Sequence, residues 1–338
     1  QADRQGEAMQ GENATSSRAQ ITMDRAPALV GEAPAFRREF LHPRHWHVWL
    51  MIAALLLLSV LPRRWRDALA DVIGYLNHRF NKKRAQYASV NLAWCFPQLT
   101  EAERQRLSRR HFQALAGAIL DIPWLRFASI RKLKRLITVA GMEHVHAAQR
   151  EGRSVILLSC HSSAIDAGGL ALSIRTRTVS VFNPFKSAFA DWLLFSVRTR
   201  FGMQLARRDD GLRPLIRAVR DGAVLVHIGD EDLGAKRTVF AEFFGKQKAT
   251  VPVLGRLAKT CGALVIPSYV WYDRRVRRYR VDLLPPLDVT WGEDVAADTR
   301  SMNLAVQRLI ELCPEQYMWT LRIFKTRPEG EPYPYRRR

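Results

Sequence analysis

Arg153–Gly169 reads R-S-V-I-L-L-S-C-H-S-S-A-I-D-A-G-G. A short apolar run, Ser154–Ser159, follows a Gly-containing turn and stops at Cys160-His161. Such a run predicts a buried strand. The serines and small residues beyond it predict the start of a helix, with Ser162 or Ser163 as its N-cap. Strand ends that feed helix starts are where α/β folds place their chemistry. His161 and Asp166, delivered at such a junction, are the base and carboxylate that hydroxyl activation needs.

Spacing alone does not select that pair. A chain with 9 His and 32 acidic residues supplies about one His-x4-acid match by chance, and this one has three: His146/Glu151, His161/Asp166 and His227/Asp232. His146 lies in a polar stretch that reads as a surface helix. His227 sits inside an apolar run, which makes its spacing to Asp232 fortuitous. Only His161 has the junction. Residues five apart in a continuous helix lie ~140° apart around its axis. A His161–Asp166 contact therefore requires the histidine to sit on the turn before the helix.

From this strand outward, apolar runs alternate with helical patterns. Strands are expected at Ser154–Ser159, Thr178–Phe182, Ala223–Ile228, Ala263–Tyr272 and Tyr279–Leu284. Helices are expected at Ala188–Phe201, Gly211–Arg220, Val251–Cys261 and Ala297–Leu312. The pattern predicts an α/β domain over 151–338, with a mostly parallel or mixed central sheet covered by helices. Upstream, 67–150 reads as helical. Arg66–Arg84 is basic and amphipathic, Thr100 and Glu103 form a capping box, and a break is expected near Pro123. Residues 1–35 are polar and aperiodic, a disordered tail. Within 36–66, Val48–Leu61 carries no charge, has Trp46, Trp49 and Trp65 at its ends, and is flanked by Arg37, Arg38, Arg44, Arg63, Arg64 and Arg66. Fourteen residues span only ~21 Å, short of the ~30 Å hydrocarbon core. The aromatic and basic flanks nevertheless predict a membrane-anchor helix, spanning or partly inserted.

The formal charge of +21 is dispersed along the chain. Without zinc-finger spacing, aromatic RNA-binding strands or basic-zipper heptads, nucleic acid is set aside in favour of anionic lipid and acidic protein partners. The four cysteines are widely spaced and read as reduced thiols. Cys160 is a secondary nucleophile candidate. There is neither a dinucleotide nor a P-loop fingerprint.

Two further constellations fall past strands. Arg198, Arg200, Arg207 and Arg208 crowd around R-F-G-M-Q-L-A-R-R-D-D-G, a pattern suited to phosphate or an anionic transition state and equally to a solvated basic face. Asp230, Glu231 and Asp232 follow the strand Ala223–Ile228 and would bind a metal, orient His161 or oppose the arginines. The metal reading is weak, since no matching ligand spacing recurs. The stretch V-F-A-E-F-F-G-K-Q-K-A-T-V-P suits core packing or the wall of a hydrocarbon tunnel. Thr250 there is an expected N-cap, with Pro252 in the first helical turn.

Taken in order, F-L-H-P-R-H-W-H-V-W-L, N-L-A-W-C-F-P, H-S-S-A-I-D, R-F-G-M-Q-L-A-R-R-D-D-G, D-E-D-L-G, F-F-G-K-Q-K-A-T and P-E-Q-Y-M-W-T-L-R-I-F-K-T-R resemble the bacterial lipid A late (secondary) acyltransferases. The likeness runs from Phe40 onward, and the P-Y-P-Y tail is similar to the myristoyl-transferring branch. The resemblance implies an enzyme anchored to the bacterial inner membrane with its catalytic domain on the cytoplasmic face. It implies transfer of a fatty acyl chain, C12–C14, from acyl-acyl carrier protein to the 3-hydroxyl of an acyl chain on a lipid A precursor. No cofactor or metal is implied. His161 would be the general base and Asp166 its orienting partner, with Arg208, Asp230 and Asp232 matching further motif positions; Arg198 and Arg200 of the arginine cluster are added as candidate substrate-binding residues. Asp166 stands where many members have Glu, Gly229 where a proline is common, and the serines after His161 where bulkier residues are frequent. A glycerophospholipid acyltransferase shares the same chemistry, and a non-catalytic basic lipid-binding module is the alternative outside enzymes.

Overall fold

The computed structural model describes residues 35–185, 187–208, 211–236 and 238–335. The tail expected over 1–35 lies outside the described residues, apart from Ala35. Helices come first: α1 (Trp46–Ser59), α2 (Arg63–Phe80), α3 (Lys82–Cys95), α4 (Glu101–Phe127) and α5 (Ile130–Leu136). The α/β part follows as β1 (Ile137–Ala140), α6 (Met142–Arg150), β2 (Val155–Ser159), α7 (Ile165–Ser173), β3 (Thr178–Phe182), α8 (Ala188–Arg198), β4 (Gln204–Arg207), α9 (Arg213–Arg220) and β5 (Val224–Ile228). A hairpin of β6 (Val239–Phe243) and β7 (Lys246–Thr250) leads to α10 (Leu254–Cys261), β8 (Leu264–Asp273), β9 (Arg278–Leu283) and α11 (Val295–Leu312).

Seven strands form one sheet in the order β1-β9-β8-β2-β5-β3-β4, parallel throughout except between β8 and β9. The expected mixed, mostly parallel α/β sheet is therefore present. β2 lies at its centre and is buried at all five residues. Ile156 and Leu158 enter the core shared with α3, α9, α10 and α11, whereas Val155 and Leu157 enter the core shared with α4 to α7. Burial on both faces explains why β2 reads as a continuous apolar run. α7 lies tightly against β8: a Cβ at Gly168 would come within 2.3 Å of Val270 Cγ2.

Local chemistry accounts for several element ends. Thr100 and Glu103 close the capping box that opens α4, as expected. The basic helix expected over Arg66–Arg84 divides at Asn81, whose side chain accepts from Arg84 N and starts α3. Pro123 does not end α4, which runs through it to Phe127. Thr250 is not an N-cap. It ends β7, and its hydroxyl bonds the Lys248 carbonyl and Asn303, so α10 starts at Leu254. Neither serine after His161 caps α7: its N-cap is Ala164, and Ser162 bridges to Tyr317 instead.

The expected membrane-spanning anchor over 36–66 is not supported. No helix among the described residues is long and apolar enough to cross a membrane. α1 has 14 residues and stops before Pro62, the N-cap of α2. Part of the basic collar is used internally, because Arg63 and Arg66 both pair with the buried Asp121 of α4.

Candidate active site

The strand register builds the site. Ser159 of β2 pairs with Ile228 of β5. Two residues beyond each partner stand His161 and Asp230, so the two side chains leave the same edge of the sheet at the same level. His161 Nδ1 lies 2.8 Å from Asp230 Oδ1, and the His161 backbone N–H donates to Asp230 Oδ2 at 3.2 Å. One carboxylate thus fixes both the ring and the main chain of the histidine. From the other side, Met318 N donates to the His161 carbonyl at 3.0 Å and Ser163 N to the Gln316 carbonyl at 2.8 Å.

The Asp230 side chain is fully buried, whereas that of His161 is 30% exposed. With Nδ1 engaged, Nε2 is the nitrogen left to exchange a proton with a ligand. Burial disfavours the imidazolium. The charge and hydrogen bond of Asp230, with Glu231 behind it, outweigh that and raise the His161 pKa. Burial likewise disfavours the Asp230 carboxylate, but His161, the buried Lys248 and Tyr317 hold its pKa below the usual range. Lys248 has no exposed surface, and burial pulls its pKa down against the attraction of Asp230, Asp232 and Glu231.

The expected His161–Asp166 pairing is not the one the structure makes. Asp166 Oδ1 accepts from Arg198 Nε at 2.7 Å, and both side chains are about a quarter exposed. The geometric precondition holds, since His161 sits before α7 and Asp166 in its first turn. Yet Asp230, brought level by the parallel strands, occupies the Nδ1 face. Arg198 is near enough to His161 for its charge to oppose the imidazolium, so the Asp166–Arg198 pair borders the site.

The remaining expected residues divide. Arg208 pairs with Glu231 at 3.2 Å and faces the Asn183 amide, at the rim. Arg200 donates to the carbonyls of Leu125 and Ala128, both at 2.7 Å, and so closes the C-terminus of α4. Asp232 accepts from Thr326 N, Thr326 Oγ1 and Gly234 N at 2.7, 2.8 and 2.9 Å, which ties the C-terminal segment to the loop after β5. It makes no pair with His227, whose pKa burial lowers to about 4. Cys160 is buried, and burial, reinforced by Asp230, drives its thiol well above the ordinary range, which removes it as a nucleophile. No group of three or more His, Cys, Asp or Glu among the described residues is arranged to hold a metal. Lys248 and Tyr317 were missed in the sequence. Both lie in stretches that carry the family resemblance, F-F-G-K-Q-K-A-T and P-E-Q-Y-M-W-T, but nothing in those stretches singles out either residue, and the electrostatic link to Asp230 is what marks them.

A buried carboxylate, an oriented histidine and a neighbouring guanidinium are the parts of an acyl-transfer centre. The model of the family described as bacterial lipid A biosynthesis acyltransferase matches residues 33–326. A lipid A biosynthesis acyltransferase of Haemophilus influenzae is 35% identical over 91% of this chain and 96% of its own. A lipid A biosynthesis myristoyltransferase of Escherichia coli is 32% identical over 90% and 95%, and a lauroyltransferase of the same organism 32% over 89% and 99%. With that coverage and these identities, the chain belongs to the bacterial lipid A biosynthesis acyltransferase family and is an acyltransferase.

Proposed function

We propose that this enzyme moves a fatty acyl group, C12–C14, from acyl-acyl carrier protein to the 3-hydroxyl of an acyl chain on a lipid A precursor. The observation that carries the reading is the Nδ1 bond of His161 to a buried carboxylate, which leaves Nε2 facing a partly open site. His161 takes the proton of the acceptor hydroxyl as its oxygen attacks the thioester carbonyl. The tetrahedral intermediate collapses, the C–S bond breaks, and the imidazolium returns the proton to the departing thiolate. Asp230 holds the ring in one tautomer and stabilises its charged form. Arg198, steadied by Asp166, offers its guanidinium to the oxyanion. No cofactor enters this scheme. The resemblance gives Asp166 the orienting role assigned here to Asp230, and the two assignments are separated by parallel Asp166→Asn and Asp230→Asn variants.

The chemistry fits a water–lipid boundary. Leu50, Leu57, Val60, Trp65 and Phe80 of the first two helices and the turn between them are each more than half exposed. Together with the basic surface, they support interfacial contact with an anionic membrane, at the cytoplasmic face of the bacterial inner membrane. The same positive surface suits an acidic carrier protein. Purified protein supplied with C12, C14 and C16 acyl-acyl carrier proteins and an under-acylated lipid A precursor should yield a product one acyl unit heavier by mass spectrometry. His161→Ala should stay folded and form no product. Transfer to glycerol phosphate in place of the lipid A precursor would move the enzyme to glycerophospholipid synthesis and refute the proposal.

A further inference from the structure

A cavity lies beside the site and takes no part in the chemistry above. It occupies the space between α2, α4, the end of β8 and the Pro314–Gln316 turn, and has a volume of about 630 Å³. That is within the range of small-molecule sites. Ser163 and Ala164, which follow the catalytic histidine, line one wall.

Its other wall carries an unbalanced charge. Arg63 and Arg66 both bond the single carboxylate of Asp121, Arg66 Nη1 at 2.6 Å. The Tyr279 hydroxyl donates to the same carboxylate. Two guanidiniums against one carboxylate leave one positive charge over, and Arg66 is only 7% exposed. Arg66 Nε and Arg63 Nη2 are buried with no hydrogen-bond partner among the described residues. Buried donors without partners are rare in native proteins, and each calls for a missing acceptor. Burial disfavours the Arg63 cation, but Asp121 and its neighbours raise its pKa, so the charge persists. Arg110, exposed, adds a third guanidinium to the lining. Of the carboxylates present, Asp67 is engaged by Tyr272 and Arg277, and Asp273 by the Arg275 backbone; Glu315 remains to oppose an anion.

We propose that this cleft is a phosphate-binding site, in which Arg66 Nε, Arg63 Nη2 and Arg110 hold the oxygens of a phosphate monoester. Free donors on adjacent guanidiniums are the arrangement that suits a tetrahedral oxyanion. Because the cleft shares the loop after His161, a phosphate seated there would place the rest of its molecule at the general base. The inference rests on the proposed acceptor only for which lipid carries the phosphate.

Inorganic phosphate is titrated into the full chain in neutral detergent by calorimetry. Vesicles of phosphatidylcholine with and without phosphatidic acid then compete. Saturable phosphate binding is expected, weakened about tenfold or more in Arg66→Lys and Arg110→Ser through loss of a charge-assisted bond. Displacement by phosphatidic acid but not by phosphatidylcholine alone assigns the site to a lipid-borne phosphate; lack of displacement assigns it to the free anion. Absence of saturable binding at millimolar phosphate overturns the site. So does wild-type affinity in Arg110→Ser, whose exposed position keeps the fold out of question. Phosphate binding without acyl transfer would defeat the proposed function and leave the site standing; transfer without phosphate binding would defeat the site alone.

Discussion

Asp230→Asn removes one charge from the pair that orients His161, the proposed general base, and leaves the side-chain volume almost unchanged. Two contacts depend on that charge: the 2.8 Å bond to His161 Nδ1 and the 3.2 Å bond from the His161 backbone. A hydrogen bond to a charged group contributes about 1.5–3 kcal/mol. Losing about 3 kcal/mol from the reactive arrangement lowers kcat by about 10²-fold. A histidine driven into the wrong tautomer loses more, up to about 10⁴-fold. The pH profile gives the sharper readout. In the wild type the His161 pKa is raised, and a general base works only when neutral, so activity falls as pH drops through that raised value. In the variant, burial and Arg198, which both lower the pKa, are no longer opposed by Asp230, and the acid limb must move to lower pH even as the plateau falls. Acyl transfer from acyl-acyl carrier protein, followed from about pH 5 to 9 across the range where histidine titrates, measures both. Asp166→Asn in the same assay should leave the acid limb nearly in place, since Asp166 bonds Arg198 and not the histidine. An unmoved limb with near-normal kcat in Asp230→Asn, together with a shifted limb in Asp166→Asn, would refute the pairing argued here.

Asp232→Ala removes three acceptor contacts to Thr326 and Gly234. It should cost about 2–4 kcal/mol and speed proteolysis around Thr326; an unchanged urea midpoint would count against its role as a tie. Gly168→Ala places a Cβ 2.3 Å from Val270 Cγ2. It should destabilise by about 1–3 kcal/mol, and Val270→Ala in the same chain should recover part of that loss, which a double-mutant cycle in thermal melting reads directly. Buried His111 has its pKa lowered to about 4. A folded pKa below the unfolded ~6.5 means stability is complete above ~6.5 and is lost as pH falls toward 4, by about 3 kcal/mol in all. His227, also lowered to about 4, acts in the same direction. Urea midpoints should therefore drop from pH 7 to pH 5, and less steeply in His111→Phe.

The central sheet was legible because β2, β3, β5, β8 and β9 are apolar or alternating runs bounded by turns. Their observed limits lie within a residue or so of those expected. β1 and β4 escaped, each only four residues long and interrupted by polar residues, I-T-V-A and Q-L-A-R, so that pairing with a neighbour defines them and not periodicity. The hairpin of β6 and β7 was hidden in an aromatic stretch whose turn, Phe244-Gly245, carries positive φ at both residues. His161 was found by its junction. The sequence points to Asp166 as its partner, while orienting His161 is only one of three roles open to the acidic cluster; the register of β2 against β5 is what brings Asp230 to the histidine. The arginines show the opposite limit. Arg198, Arg200 and Arg208 look alike in a basic stretch, yet one borders the site, one closes a helix and one pairs at the rim. Charge count does not distinguish donors aimed at a carboxylate from donors aimed at a carbonyl.

The segment after α11 clasps much that precedes it. Gln316 and Met318 hold the backbone of Ser163 and His161, and Asn91 donates to the carbonyls of Trp319 and Leu321 while Tyr335 donates back to Asn91. During synthesis these residues leave the ribosome after every strand of the sheet. A nascent chain halted before them has the histidine and its aspartate but lacks the Gln316 and Met318 contacts to the loop between His161 and Ser163. Completion of the loop that carries His161 therefore waits for a segment synthesised after every strand of the sheet.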